Sequence, residues 1–149
     1  MKRLFLSLAF MLIGMVGYAQ QFTQKYNNLL DRIEFFDSYG TMVGYCKKNT
    51  LLNQMEYYDS YGNLLKSEKY NNILDQTESR DEYGELQSTR NYNNLLDRED
   101  IKDEYGNVIG YKKWNSILNR SELYDNYGNM IGYYTWNNLL EQWEYHSSY

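Results

Sequence analysis

Proline is absent from this chain, and cysteine and histidine occur once each, as Cys46 and His146. The missing proline excludes proline-rich linkers and polyproline recognition segments. A lone cysteine cannot close an internal disulfide, so the fold is not stapled and Cys46 reads as a buried thiol. His146 stands three residues from the C-terminal Tyr149, so a histidine-dependent dyad would rest on the chain end. Cys46 has no histidine near it in sequence, and the residues 22, 44, 66 and 88 positions further on are Glu68, Arg90, Lys112 and Tyr134. No glycine-rich phosphate loop is present, because each glycine belongs to a turn or a strand kink. The abundant carboxylates read as a solvated charged face. The chain is therefore expected to be no enzyme, with no catalytic residue, cofactor or metal assigned.

Long apolar runs are also scarce. The one that occurs, Leu4 to Val16, follows Lys2 and Arg3 and is succeeded by Gly17-Tyr18-Ala19. That layout predicts a secretory signal peptide over 1–19, too short for a stable membrane anchor, with Gln20 opening the mature chain. The expectation is export by this signal to the periplasm, cell surface or extracellular space, with no transmembrane anchor. The signal segment carries two basic and no acidic residues, so its removal takes the formal charge from −5 to −7. Such a balance opposes nucleic acid or an anionic membrane as the main partner.

What the chain does contain is a repeat. Tyr-Gly pairs occur at Tyr39-Gly40, Tyr61-Gly62, Tyr83-Gly84, Tyr105-Gly106 and Tyr127-Gly128, each 22 residues from the next. A second marker keeps the same period from Tyr26-Asn27-Asn28-Leu29-Leu30 to Trp136-Asn137-Asn138-Leu139-Leu140. The units are 26–47, 48–69, 70–91, 92–113, 114–135 and a partial 136–149, in one repeat domain after a short lead at 20–25. Asp-x-Tyr-Gly has the residue order of a type I turn, its glycine free to take a positive φ in a bulge. The paired asparagines predict a second tight turn. The intervening segments carry β-branched and aromatic residues such as Ile33, Phe35, Val43 and Tyr57. Turn residues every 9 to 13 positions leave little room for helix.

These features predict an all-β fold: an elongated antiparallel meander of about eleven strands built from 22-residue β-hairpin repeats, about 50 Å long. The constant leucines Leu30, Leu52, Leu74, Leu96, Leu118 and Leu140 are the candidate buried spine. The last strand, Gln142 to Ser147, would be an aromatic free edge open to pairing with another chain.

Tyr58-Asp59-Ser60-Tyr61-Gly62-Asn63-Leu64 and Tyr124-Asp125-Asn126-Tyr127-Gly128-Asn129-Met130 resemble the Tyr-Asp core of YD (RHS-type) repeats. The stretch Tyr57 to Glu68 followed by Tyr70-Asn71-Asn72-Ile73-Leu74-Asp75 is similar to MORN-variant repeats, departing at Asn72, where that family usually has glycine. Either resemblance implies stacked β-hairpins used for contact with protein, glycan or lipid.

Two candidate sites remain. The aspartates at 37, 59, 81, 103 and 125 supply hard oxygen that suits Ca²⁺, but turn capping accounts for them better. Aromatic rows are the candidate binding residues: Tyr39, Tyr61, Tyr83, Tyr105 and Tyr127 at the glycine turns, and Tyr26, Tyr70, Tyr92, Trp114 and Trp136 near the asparagine turns, with Lys48 breaking the second row. Rigid amphipathic rings in file suit extended polymers. The expected function is an exported interaction module for a protein or cell-surface glycan. The alternative is a structural component that forms homo-oligomers by edge-strand pairing.

Overall fold

A computed structural model describes residues 21–148. The predicted signal peptide, Gln20 and Tyr149 lie outside the described residues. Twelve strands follow one another: β1 (Phe22–Asn27), β2 (Arg32–Phe36), β3 (Met42–Asn49), β4 (Gln54–Asp59), β5 (Leu64–Asn71), β6 (Gln76–Asp81), β7 (Leu86–Asn93), β8 (Arg98–Asp103), β9 (Val108–Asn115), β10 (Arg120–Asp125), β11 (Met130–Asn137) and β12 (Gln142–Ser147). Each pairs antiparallel with its neighbours in sequence.

The sheet does not stay open. β1 pairs with β12 through Phe22–Tyr145, Thr23–Glu144 and Gln24–Trp143, and the meander closes into a barrel. Two expectations are corrected here. The segment 20–25, read as a lead, supplies most of the strand that completes the barrel. The strand at Gln142–Ser147 has the expected bounds but is no free edge, so edge-strand pairing has nothing to dock on. Twelve strands about 4.8 Å apart, tilted as closure requires, give a backbone diameter of about 20–25 Å.

Both kinds of hairpin turn have an identifiable cause. At the glycine turns, Gly40 N–H donates to the Asp37 carbonyl at 3.0 Å and Gly40 takes a φ of 79°. Asp37 Oδ1 accepts from the Tyr39 and Thr41 amides, both at 2.9 Å. The same cap recurs at Asp59, Asp81, Asp103 and Asp125. The aspartates therefore do the turn capping read from the sequence. Two residues after Thr41 the register shifts by a bulge at Val43, repeated on the four equivalent strands.

At the other turns the asparagines act differently from the expectation. Neither asparagine of the pair is left-handed; the positive φ falls on the last loop residue, Asp31, Asn53, Asp75, Asp97, Asn119 or Glu141. The first asparagine is a clamp. Asn71 Oδ1 accepts from the Ile73 and Leu74 amides, and its Nδ2 donates to Glu78 across the hairpin at 2.8 Å. All six copies keep the bond to the acid: Asn27–Glu34, Asn49–Glu56, Asn71–Glu78, Asn93–Asp100, Asn115–Glu122 and Asn137–Glu144.

Inside the barrel the repeat disappears. Ile33, Met55, Thr77, Glu99, Ser121 and Trp143 are equivalent by the 22-residue period, and no two are alike. The same holds for Gln24, Cys46, Glu68, Arg90, Lys112 and Tyr134. One sector is apolar, made of Ile33, Phe35, Cys46 and Tyr57 together with Phe22, Tyr134, Trp143 and Tyr145, and Val43 packs against both groups. A Cβ at Gly132 would collide with the Tyr145 ring, so the missing side chain makes room for that tyrosine. The opposite sector is charged. Glu68 accepts from Lys66 at 2.6 Å, from Arg90 at 2.8 Å and from the Tyr57 hydroxyl at 3.0 Å, while Lys112 pairs with Glu99 at 2.5 Å.

The predicted leucine spine is absent: Leu30 and its five equivalents are 49–60% exposed. They lie in the loops, where strand parity no longer assigns a face.

Burial alone would raise the Glu68 carboxyl, but Arg90 and Lys66 outweigh it and hold the group below the usual carboxylate range. Its stabilisation is therefore present above the ordinary glutamate pKa of about 4.3 and is lost as pH falls through the lower folded value. Glu68→Gln leaves two buried cations without their counter-ion and is expected to cost about 3–5 kcal/mol at pH 7. Denaturant titrations across pH 2–7 should also show a shallower acid limb in the variant; an unchanged acid limb contradicts the pairing.

Candidate functional site: the two rims of the barrel

Alternating hairpins send their turns to opposite ends. Six asparagine loops crown one rim and five glycine turns line the other. The two predicted aromatic rows are thereby separated by the length of the barrel and do not form one site.

At the glycine-turn rim, Tyr39, Tyr61, Tyr83, Tyr105 and Tyr127 are 82–91% exposed. Their backbone amides are tied to the capping aspartates, so the rings project from fixed turns. Asn63, Asn107 and Asn129 hydrogen-bond Asp59, Asp103 and Asp125 and hold those carboxyls low. Among the described residues these five rings do not stack on one another.

At the loop rim, Tyr26, Tyr70, Tyr92, Trp114 and Trp136 are 36–56% exposed. Tyr26, Tyr70 and Tyr92 donate their hydroxyls to Asp31, Asp75 and Asp97 at the close of the same loop. Those bonds raise the Tyr26 and Tyr70 phenols above their ordinary pKa. Trp136 packs edge-on against Trp143 with centroids 5.4 Å apart. Above the collar stand the loop aliphatics. Leu29, Leu51, Ile73, Leu95, Ile117 and Leu139 are 89–96% exposed, with Leu30 and its equivalents beside them.

Sequence reasoning missed a third feature on the outer wall. Arg32 lies over Tyr45 at 4.2 Å, and Tyr45 stacks on Tyr58 at 5.0 Å. The same ladder runs from Arg98 through Tyr111 to Tyr124 and from Arg120 through Tyr133 to His146. Members are 13 residues apart: the arginine is a diagonal neighbour of the first ring, the two rings are directly paired across strands, and that spacing is the signal that could have found them. Burial, with the bond to Glu56, pushes the Tyr58 phenol to about 12. The hydroxyl bond to Glu122 does the same for Tyr124, also to about 12.

None of the nucleophilic chemistry converges. Cys46 is fully buried, and burial followed by the Glu68 charge pushes its thiol to about 12, the reverse of an activated thiolate. His146 is held on the outer wall by Tyr133 and by Thr135 Oγ1 at 2.9 Å.

No protein-family model and no curated protein matches the chain, so the YD and MORN-variant resemblances gain no support there. Among solved structures, an X-ray structure of a protein from Arabidopsis thaliana superposes with a TM-score of 0.66 at 9% identity, covering 87% of this chain and 80% of that one. That likeness shows the all-β fold and nothing about activity.

The asparagine clamp is testable by contrast within one loop. Asn71→Ala strands the Ile73 and Leu74 amides and a bond to Glu78, and is expected to lower stability by about 1–2 kcal/mol. Asn72→Ala, at an exposed loop position, should change stability by less than about 0.5 kcal/mol. Urea denaturation separates the two; equal effects would mean the clamp is misassigned.

Proposed function

We propose that this protein is an exported, non-catalytic binding module that presents aromatic side chains on a rigid barrel rim to a protein or a cell-surface glycan. The observation that carries the reading is the row Tyr39, Tyr61, Tyr83, Tyr105 and Tyr127, nearly fully exposed on turns that the aspartates hold in place. Tyrosine offers a large contact surface and a hydroxyl while losing little rotamer freedom on binding. Five such rings are spaced by two strands each, on the order of 10 Å, so one extended ligand meets several of them. Fixed turns reduce the ordering cost that a mobile loop would add. The buried thiol and the wall-bound histidine support a role without covalent chemistry.

The triple variant Tyr61→Ser/Tyr83→Ser/Tyr105→Ser tests this, because the side chains are solvent-facing and the barrel should keep its unfolding midpoint. Binding is read on a glycan array and by capture from envelope extract. Loss of the wild-type partner by about tenfold or more is expected. A wild-type protein that binds nothing in either assay, or a variant that binds equally well, contradicts the proposal.

A further inference from the structure

We infer that the loop end of the barrel holds a second binding site, a vestibule inside the mouth that takes one neutral hexose unit, free or at the end of a glycan. This inference does not rest on the tyrosine row, which lies at the other end of the barrel.

Register fixes the lining. Directly paired residues of antiparallel strands share a face, and the fully buried Leu123 marks the inward one. Leu123 pairs with Lys112, Lys112 with Glu99, and Glu99 with Tyr92. Trp114 stands two residues beyond Lys112 on β9 and so shares its face. Thr77 is opposite Tyr70 on one side and Arg90, two residues from Tyr92, on the other. Tyr70, Thr77, Tyr92, Glu99, Lys112 and Trp114 therefore form one patch across β5 to β9, facing the lumen at the loop end.

Solvent reaches this patch. Near the seam the inward residues of the same repeat position are closed off, with Ile33, Ser121 and Trp143 at 2–7% exposure. Thr77 and Glu99 occupy that position away from the seam and are only half-buried. The Glu99 and Lys112 side chains keep 26% and 17% of their surface in solvent. At the mouth, Tyr70, Tyr92 and Trp114 are 48–56% exposed. Deeper in, Arg90 and Glu68 are buried and bonded to each other at 2.8 Å, which gives the vestibule a floor. A barrel mouth is a common place for a small-ligand site.

The lining selects the class of ligand. Tyr70 and Tyr92 donate their hydroxyls to the loop-closing Asp75 and Asp97, so what they present to the mouth is the ring itself. Flat aromatic faces pack against the C–H face of a pyranose. The three rings stand on alternate strands, about 10 Å apart at the backbone, so two neighbours flank one bound ring. Glu99 and Lys112 pair at 2.5 Å, and the two charges that solvent reaches inside the mouth cancel. Glu99 Oε2 is buried at that contact, so the exposed part of the side chain lies on Oε1 and the stem. With the Thr77 hydroxyl, the patch sets hydrogen-bond donors and acceptors side by side, the complement of vicinal hydroxyls. An apolar ligand would strip water from the ion pair without replacing its hydrogen bonds, and a charged one would upset the pair's balance. A neutral polyhydroxylated ring does neither. The fold does not demand this pair. The five repeat equivalents of Glu99 are Ile33, Met55, Thr77, Ser121 and Trp143, none of them charged, and a half-buried ion pair adds little stability.

Calorimetric titration of the protein tests this, with tryptophan emission followed in parallel. The probes are glucose, galactose, mannose and N-acetylglucosamine, each free and as its methyl glycoside. At least one should bind saturably and shift the emission of Trp114. The tyrosine row carries no tryptophan, so binding there leaves this signal unmoved. A methyl glycoside that binds like its parent identifies the end of a glycan as the source, and binding lost on methylation identifies the free sugar. Trp114→Ser and Tyr92→Ser should each weaken binding about tenfold or more, while Trp114→Phe keeps most of the affinity. Glu99→Met/Lys112→Met should leave the unfolding midpoint unchanged or higher and still weaken binding about tenfold or more, a split that a purely structural ion pair would not give. A folded wild type that binds none of the sugars overturns the inference, as does undiminished binding by the serine variants or the double methionine variant. Tighter binding of glucuronate or glucosamine than of glucose overturns the neutral ligand class.

Discussion

The three-residue seam between β1 and β12 is the contact on which the rest of the molecule depends. An open meander would have two solvated faces, two unpaired edges and no interior. Closing it converts one face into a core, and strand parity then decides which residue of every pair is inside. Closure also sorts the turns. Twelve strands place six loops at one end, with both described termini at the other beside the five glycine turns. On its other side β12 is tied to β11, where the Ser148 amide and the Tyr145 hydroxyl both donate to the Ile131 carbonyl at 3.2 Å.

Enclosure changes what selection on a repeat can do. In a stacked array each copy meets an equivalent neighbour, and equivalent residues are favoured throughout. Around a barrel, the inward residues of six hairpins share one finite space, and six identical large side chains would overfill it. The interior has accordingly become asymmetric, with aromatics gathered beside the seam and ion pairs opposite. Those ion pairs are costly to desolvate, and the Lys66–Glu68–Arg90 group is tolerated because each charge is met at hydrogen-bond distance. The turns and the acid row of the outer wall, Glu34 to Glu144, have no such shared volume, and they keep the period. The Asn–acid clamp and the aspartate cap are the parts of the repeat that the fold needs in every copy.

Much of this was legible in the sequence because it is local. The antiparallel order, the glycine turns and their aspartate caps follow from residues within five positions of one another, and the bounds of β12 were read correctly. What escaped notice depends on distance. Nothing near Phe22 announces that its partner is Tyr145, and the closing strand lies mostly outside the repeated units. The leucines misled for a different reason. Apolar character ordinarily implies burial, but these six pairs sit in loops whose backbone faces outward. The asparagines were assigned to the turn correctly but for the wrong property, since the side-chain amide matters and the left-handed backbone lies three or four residues later. Of the candidate surfaces, both aromatic rows were visible as periodic positions; that they lie at opposite ends required the closed topology.

Closure can be measured by cross-linking the seam. Thr23 and Glu144 are paired residues on the outer wall of β1 and β12, and a disulfide between them falls within the reach of an antiparallel pair. Cys46 is buried with a raised thiol pKa, so it does not compete for oxidation in the folded state. Thr23→Cys/Glu144→Cys should rapidly form an intramolecular bridge at low protein concentration, and its oxidised form should unfold at a higher midpoint than its reduced form, a reference that sets aside the lost Asn137–Glu144 bond, because the bridge closes a loop of nearly the whole barrel. A pair that stays reduced, or that forms only links between molecules, would mean that the two end strands do not meet and that the barrel is not closed.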